Sequence, residues 1–355
     1  MCGKLFDSIL IDKLRFYADD EFFANIDTSD FIGNIQKVMS AYYSDNAFIT
    51  DTSRHRISIE FTPTRYRTSK SQTDTNLIMP TEHELLNLFT ELGFYKLPES
   101  MYNGFIISKL HLTKNFCTQN TVPRYIKMLG NRKYKGGIKP ILNTSNATNT
   151  SLTLSTLKKD DSYKNIVGNK VIKFYDKMQE LKDKASLNEV FLPEPLPIDD
   201  IKVLPKGSYS NNPPYLSLQN LHIIRCELQY ATSVKLKKIS DFIFGVKNSH
   251  DLRLATLLKI LQNGELYNTL ERFYTKELND NVFFNKPLTT ETKLSKHEKL
   301  LAELIKGKSA TRLLGMYKGS QKASLSRVLR KLQQANNSNR LYVELYNKFI
   351  EGQND

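Results

Sequence analysis

Four short segments of this chain alternate apolar and polar residues with a period of two, a pattern that fits only strands carrying one buried and one polar face. In HRISIEF, Ile57, Ile59 and Phe61 alternate with Arg56, Ser58, Glu60 and the following Thr62. In FIISKLHLT, Ile106, Ser108, Leu110 and Leu112 oppose Ile107, Lys109, His111 and Thr113. NKVIKFYDK sets Val171, Lys173, Tyr175 and Lys177 against Ile172, Phe174 and Asp176, and HIIRCELQY sets Ile224, Cys226, Leu228 and Tyr230 against Ile223, Arg225, Glu227 and Gln229. A further strand is expected at Ser151–Lys158. Amphipathic strands of this kind assemble into one antiparallel sheet with a polar face left for function.

Helices are expected to back that sheet. Thr81 and Glu84 form a capping box for a helix from Glu82 to about Leu92, and residues from Met178 to Ala185 read as helical. The stretch 119–150 holds Gly, Pro, Asn and Thr clusters and reads as a basic loop more than a packed element, while the prolines of Leu192–Pro214 imply irregular chain. From about Lys247 the period becomes helical, with apolar positions Leu252, Leu254, Leu257, Leu258 and Leu261. Further helices are expected at His297–Ile305, Ala310–Tyr317 and Ser324–Ala335, the last two spaced like a helix-turn-helix or a plain helical hairpin. The fold class is therefore α+β, with a sheet-containing domain over residues 1–245, divisible into halves 1–100 and 101–245, and a helical C-terminal domain over 246–355.

Charge narrows the partners. Lys and Arg total 51 against 37 Asp and Glu, a formal net charge of +14, which attracts polyanions through counterion release. Nucleic acid is the expected partner, and Arg65, Arg124, Lys127, Arg132, Lys133 and Lys135, with Arg327 and Arg330 on the last helix, are the candidate DNA-binding cations. Cys2, Cys117 and Cys226 lie far apart without a CxxC spacing, which fits a reducing cytoplasm and indicates neither a disulfide framework nor a cysteine zinc site. No run of about eighteen apolar residues occurs, and MCGKLFDSILIDKLRF has charges inside its apolar stretch, so no membrane span or signal peptide is expected.

The polar strand faces together hold a phenol, an imidazole, carboxylates and several cations. Such an inventory suits metal-assisted phosphoryl transfer. A tyrosine hydroxyl has an ordinary pKa of about 10 and needs nearby cations or a metal to become a nucleophile. Tyr175 is the candidate nucleophile, Lys173, Lys177 and Arg225 the charge-stabilising cations, and His111, Glu227 and Glu60 the candidate ligands of a divalent Mg²⁺ or Mn²⁺ ion. Each has a plainer reading: a packing aromatic, a hydrogen-bonded histidine, a same-face ion pair between Glu227 and Arg225.

Four stretches, SIEFTPTR (58–65), SKLHLTKNF (108–116), KFYDKMQEL (173–181) and IIRCELQY (223–230), occur in the order of motifs found in the replication initiators of filamentous phages. The chain resembles that group, the gene II and gene X initiators, and more distantly the rolling-circle initiators of plasmids. KFYDKMQEL, similar to the group's Tyr-Asp-Lys-x-x-Glu-Leu segment, is the most specific match. The resemblance covers roughly residues 55–245 and implies a sheet backed by helices of the HUH-nicking type. It implies that Tyr175 attacks one strand of single-stranded or supercoiled origin DNA and becomes linked to the 5′ phosphate, with Glu227 and residue 111 at the metal. Host helicase and polymerase would be partners, in the cytoplasm of a bacterial host. Departures are Thr62 and Arg65 in place of Ser and Lys, the absence of the following Gly-His-Asn, and His111 where Asp is common. A non-enzymatic origin- or promoter-binding protein is the contrasting reading, and a conjugative relaxase or transposase would share the chemistry.

Overall fold

The computed structural model describes residues 9–19, 32–33, 35, 37, 56–63, 81–94, 103–132, 134, 138–143, 151–155, 171–180, 191–193, 215–217, 222–231, 233–247, 250–283, 295, 298, 300, 314–316 and 318–351. Seven strands form one antiparallel sheet in the order β2-β1-β3-β9-β6-β5-β4. They are β1 (Leu10–Asp19), β2 (Arg56–Phe61), β3 (Ile106–Thr118), β4 (Lys139–Asn143), β5 (Ser151–Ser155), β6 (Val171–Asp176) and β9 (His222–Tyr230). A two-stranded ladder, β7 (Phe191–Pro193) with β8 (Tyr215–Ser217), stands apart from it. The α+β class with an antiparallel sheet is therefore as the alternation implies.

The four strands expected from the alternation are present, as is the start of the one expected at Ser151–Lys158, whereas β1, β4, β7 and β8 were not expected, β4 lying in the stretch read as a basic loop. β1 pairs with both β2 and β3 and so joins residues on either side of position 100 into a single sheet. The proposed halves 1–100 and 101–245 share one set of ladders rather than forming separate sheets.

Two irregularities interrupt the period-2 register of β1 and β3. Between Ile11 and Lys13 the pairing advances two residues on β1 for one on β3, so Asp12 is the extra residue of a bulge. Between Arg15 and Phe16 the partner jumps from Lys109 to Ile107, which makes Ser108 the extra residue on β3. The second bulge overturns one face assignment. Ile107 pairs with Phe16 and is buried with the apolar side chains instead of joining Lys109 and His111 on the polar face.

The apolar face carries Leu14, Phe16, Leu110, Leu112, Ile172, Phe174, Ile224, Cys226 and Leu228, all buried. Helix α1 (Glu82–Glu91) begins with the expected capping box, since Thr81 Oγ1 accepts from the Glu84 amide while Glu84 Oε2 accepts from the Thr81 amide at 2.7 Å. Such a cap is worth about 1 kcal/mol. Its Phe89 meets Phe61 and Phe94, which with Phe16 and Phe105 make an edge-to-face aromatic cluster with centroids 5.4–6.2 Å apart. Each such pair adds about 0.5–1.5 kcal/mol beyond area burial.

Residues 122–130 differ from the loop expected there. They form α2 (Val122–Gly130), with Val122, Tyr125, Ile126, Met128 and Leu129 buried. Pro123 sits in the first turn, where its missing N–H costs nothing. The helix comes close to the apolar face at Gly130, where an added Cβ would lie 2.9 Å from Leu142. Helices α3 (Ser233–Phe244), α4 (Leu254–Gln262) and α5 (Leu266–Asn281) follow the sheet. Tyr274 and Lys114 tie α5 to it, the first donating to the Cys226 carbonyl at 2.9 Å and the second pairing with Glu271.

The chain divides into units Met1–Glu277 and Leu278–Asp355, with the division inside α5 rather than near residue 246. The segment 252–254 explains why. Ile107 donates to the Leu252 carbonyl and Leu254 to the Phe105 carbonyl, which fastens the start of α4 to β3. In the second unit, α6 (Gly319–Tyr346) continues past the expected end at Ala335, and Phe283 meets Tyr342, Tyr346 and Phe349.

Candidate metal and phosphodiester site

The polar face is organised in rows set by the register. One row runs Lys13, His111, Gln229, Val171 across β1, β3, β9 and β6; the next runs Thr113, Glu227, Lys173, Thr153; the third runs Asn115, Arg225, Tyr175, Ser151. Tyr175, Lys173, Arg225, Glu227 and His111 therefore share one face, as their spacing predicts. Much of it is buried, with Arg225 at 1 % exposure, Glu227 at 6 % and His111 at 7 %.

Asp12 completes the constellation. The bulge re-aims its carboxylate so that Asp12, His111 and Glu227 place one ligand atom each within 4.8 Å of one another. His111 Nδ1 lies 3.0 Å from Glu227 Oε1, a separation of hydrogen-bond length. These two close heteroatoms, joined by the Asp12 carboxylate, suit a common third point. Two carboxylate oxygens and one nitrogen form a donor set for a divalent cation, and the imidazole suits Mn²⁺ better than Mg²⁺. Burial raises the Glu227 carboxyl, but His111, Gln229 and Lys173 outweigh it and bring the group down to about 2. Gln229 Nε2 donates to Glu227 Oε1 at 2.8 Å and fixes the carboxylate.

Arg225 is the hub of the neighbouring row. Its Nε donates to Asn115 Oδ1 at 2.7 Å, its Nη1 stands 3.6 Å from Asp12 Oδ1, and it hydrogen-bonds Tyr175. The Tyr175 phenol is not the acidified group expected from its cations. Burial, opposed by Arg225 and reinforced by Glu180, Glu227 and Asp12, pushes it above its ordinary value. Lys177 also departs from the strand reading: the chain turns helical at 177–180, and Lys177 donates to Glu180 at 2.9 Å within that turn.

Glu60 stands apart from the cluster. It is on β2, three strands from Glu227, or roughly 14 Å at about 4.8 Å per strand. Three cations surround it: Arg15 at 2.5 Å, Lys109 at 3.2 Å and Lys13 at 3.8 Å. Burial pushes its carboxyl up, but Lys109, Arg15 and Lys13 together hold it below the ordinary carboxylate value. Asp12, not Glu60, accompanies His111 and Glu227. The missed signal is the run Leu14–Asp19, where Leu14, Phe16 and Ala18 alternate with Arg15, Tyr17 and Asp19, but the bulge breaks the phase just before it.

Of the candidate DNA-binding cations in the first unit, the described ones belong to α2 or follow it rather than lying on the sheet. Arg124 and Lys127 are exposed on α2, Arg124 donating to Asn120 Oδ1 at 3.0 Å, and Arg132 is half-buried just beyond that helix. Arg327 and Arg330 are exposed on α6. Arg65, Lys133 and Lys135 lie outside the described residues. No family model, no curated protein and no solved structure matches this chain.

Proposed function

We propose that the chain is a metal-dependent DNA-nicking enzyme that initiates rolling-circle replication, with Tyr175 as nucleophile. The observation that carries this reading is the convergence of Asp12, His111 and Glu227 on the face that also holds the Tyr175–Arg225 pair. In the proposed reaction the Tyr175 oxygen forms a bond to phosphorus, the bond from phosphorus to the 3′ oxygen breaks, and the strand leaves with a free 3′ hydroxyl. The phenol proton is lost as the attack proceeds and the 3′ oxygen gains one, so the transesterification is neutral in protons. Asp12, His111 and Glu227 would hold a Mn²⁺ or Mg²⁺ ion, which when bound polarises a non-bridging phosphate oxygen. Arg225, kept rigid by Asn115, stabilises charge on the phosphate oxygens in a site shielded from water. A phenol stored protonated does not react idly with water-borne electrophiles, and it becomes reactive only when substrate and ion change its surroundings.

The test incubates the protein with supercoiled DNA carrying its own origin and with Mn²⁺ or Mg²⁺, and looks for a covalent protein–DNA adduct. Tyr175→Phe is expected to form none. Absence of an adduct with the wild-type chain, or its persistence in Tyr175→Phe, overturns the reading. A second reading, an origin-binding protein without cleavage, draws on the half-buried, protonated Tyr175 and the exposed Arg327 and Arg330. It predicts that Tyr175→Phe behaves as wild type in origin retention.

A further inference from the structure

The cations around Glu60 take no part in the reaction above. Arg15 on β1 stands directly opposite both Glu60 on β2 and Lys109 on β3, while Lys13 stands opposite His111. Their charged ends meet at one carboxylate, with Arg15 Nε at 2.5 Å, Lys109 Nζ at 3.2 Å and Lys13 Nζ at 3.8 Å from its oxygens. Among the described residues, one carboxylate thus answers three cations. Unlike Arg225, these side chains face solvent: Lys13 is 43 % exposed, Arg15 37 % and Lys109 22 %.

As a device for stability the arrangement is poor. Like charges directly across a ladder destabilise it, and Arg15 and Lys109 are such a pair. Ion pairs this exposed contribute little, because water screens them. As a seat for phosphates it is well formed. Glu60 gathers three long side chains in one place, which lowers the ordering cost of binding, and the surplus positive charge is left for an anion from outside. The cluster also adjoins the metal and phosphodiester site. Lys13 shares a row with His111, and Lys109 lies two residues along β3 from His111, roughly 7 Å at about 3.4 Å per residue, the scale of one nucleotide step in an extended strand. Tyr175 is half-buried in the same face, so the phosphate it meets must settle onto the sheet, which an unpaired strand does more readily than a duplex.

We propose that Lys13, Arg15 and Lys109 form a binding site for two neighbouring phosphates of a single DNA strand, beside the phosphate that Tyr175 attacks, and that Glu60 positions the three cations. The site's place on the path to Tyr175 rests on the nicking reading; its affinity for an unpaired strand does not. It takes part in no bond change. It seats the strand, and the chemistry stays in the Tyr175 row.

The test measures binding of the full chain to an oligothymidylate of about 20 nucleotides, longer than the roughly 4–16 that one single-strand site covers, by fluorescence anisotropy across a salt series in metal chelator. Each phosphate neutralised on a single strand adds about 0.7 to the slope of log affinity against log salt concentration. Lys13→Gln, Arg15→Gln, Lys109→Gln and Glu60→Gln combined remove the cluster without orphaning the carboxylate, and are expected to flatten the slope by about 1.4. Lys13→Gln alone, which leaves Glu60 its two nearer cations, is expected to flatten it by about 0.7. Glu60→Gln is expected to tighten binding about 5-fold, since its amide oxygen still accepts from the cations while the competing negative charge is gone. The control pair Lys259→Gln with Arg272→Gln removes the same net charge from exposed positions on α4 and α5, and is expected to leave the slope within about 0.3 of wild type. Equal flattening in cluster and control, or a Glu60→Gln chain that binds no tighter, overturns the strand site. A wild-type chain that shows these shifts but forms no adduct with origin DNA overturns the nicking reading alone. One that forms the adduct while the combined variant keeps the wild-type slope overturns the strand site alone.

Discussion

Glu60 and Glu227 occupy the same sheet three strands apart, and their surroundings hold both carboxyls in the charged form by opposite means. Lys13, Arg15 and Lys109 enclose Glu60 in a cluster open to solvent, with Lys13 and Arg15 each more than a third exposed. Glu227 is more deeply buried and meets an imidazole, an amide and the carboxylate of Asp12. A carboxylate already crowded by cations has nothing left to offer a metal ion. One that faces a second carboxylate in a low-dielectric site lowers its energy by acquiring a cation. Residue type alone does not make a ligand: Glu60 has three cations within 4 Å, whereas Glu227 has His111 and Asp12 beside it and Lys173 opposite on β6.

That contrast is tested most severely by exchanging the losses. Glu227→Ala is expected to lower the rate of adduct formation about 1000-fold, or about 4 kcal/mol in the barrier, whereas Glu60→Ala stays within about 3-fold. Equal losses in the two variants would erase the distinction. Next in size is the response to the ion itself. Mn²⁺ at 100 times its dissociation constant is expected to stabilise the wild-type chain by about 2.7 kcal/mol in thermal or urea unfolding. Asp12→Asn and His111→Ala should lose most of that gain and Glu60→Ala none; an Asp12→Asn chain that responds in full would remove Asp12 from the site.

Effects of pH come third. The Lys177 ammonium falls from an ordinary 10.5 to about 8, so between those values the unfolded chain binds more protons than the folded one. Folding stability in a metal chelator should therefore rise from pH 8 towards pH 10, by on the order of 2 kcal/mol relative to Lys177→Met. The carboxylates act with the opposite window. Glu227 and Glu60 both have folded values below the ordinary 4.5, so their contribution is present above that pH and is lost as acid protonates them. The smallest effect belongs to the flank: Glu60→Gln should cost about 1 kcal/mol in urea unfolding, because Lys13 and Arg15 are solvent-facing and screened. A much larger loss would mean that the Glu60 cluster holds the sheet edge together.

The legibility of the chain follows the same physics. HIIRCELQY and HRISIEF read correctly because their faces alternate without interruption, and the Thr81–Glu84 box read correctly because capping is local. β1 did not, since its alternation slips at Asp12, and Ile107 was put on the wrong face by the slip at Ser108. Helix α2 was concealed by its Pro and its cations, though Val122, Tyr125, Ile126 and Leu129 repeat at helical spacing. At the site, Tyr175, Arg225, Glu227 and His111 follow from strand parity. Asp12 required knowing that β1 lies beside β3, and no local pattern carries that information.

The order β2-β1-β3-β9-β6 has a consequence in time. Asp12, His111 and Glu227 come from strands spread along most of the first unit, and the two that flank β3 in space are the farthest apart along the chain. Contacts of such long sequence separation close late in folding, and during synthesis they must wait for the last partner to leave the ribosome. Until β9 has been translated and inserted between β3 and β6, a growing chain holds a tyrosine and a histidine but no complete ligand set. Under the nicking proposal, an unfinished molecule is thereby kept from cutting DNA.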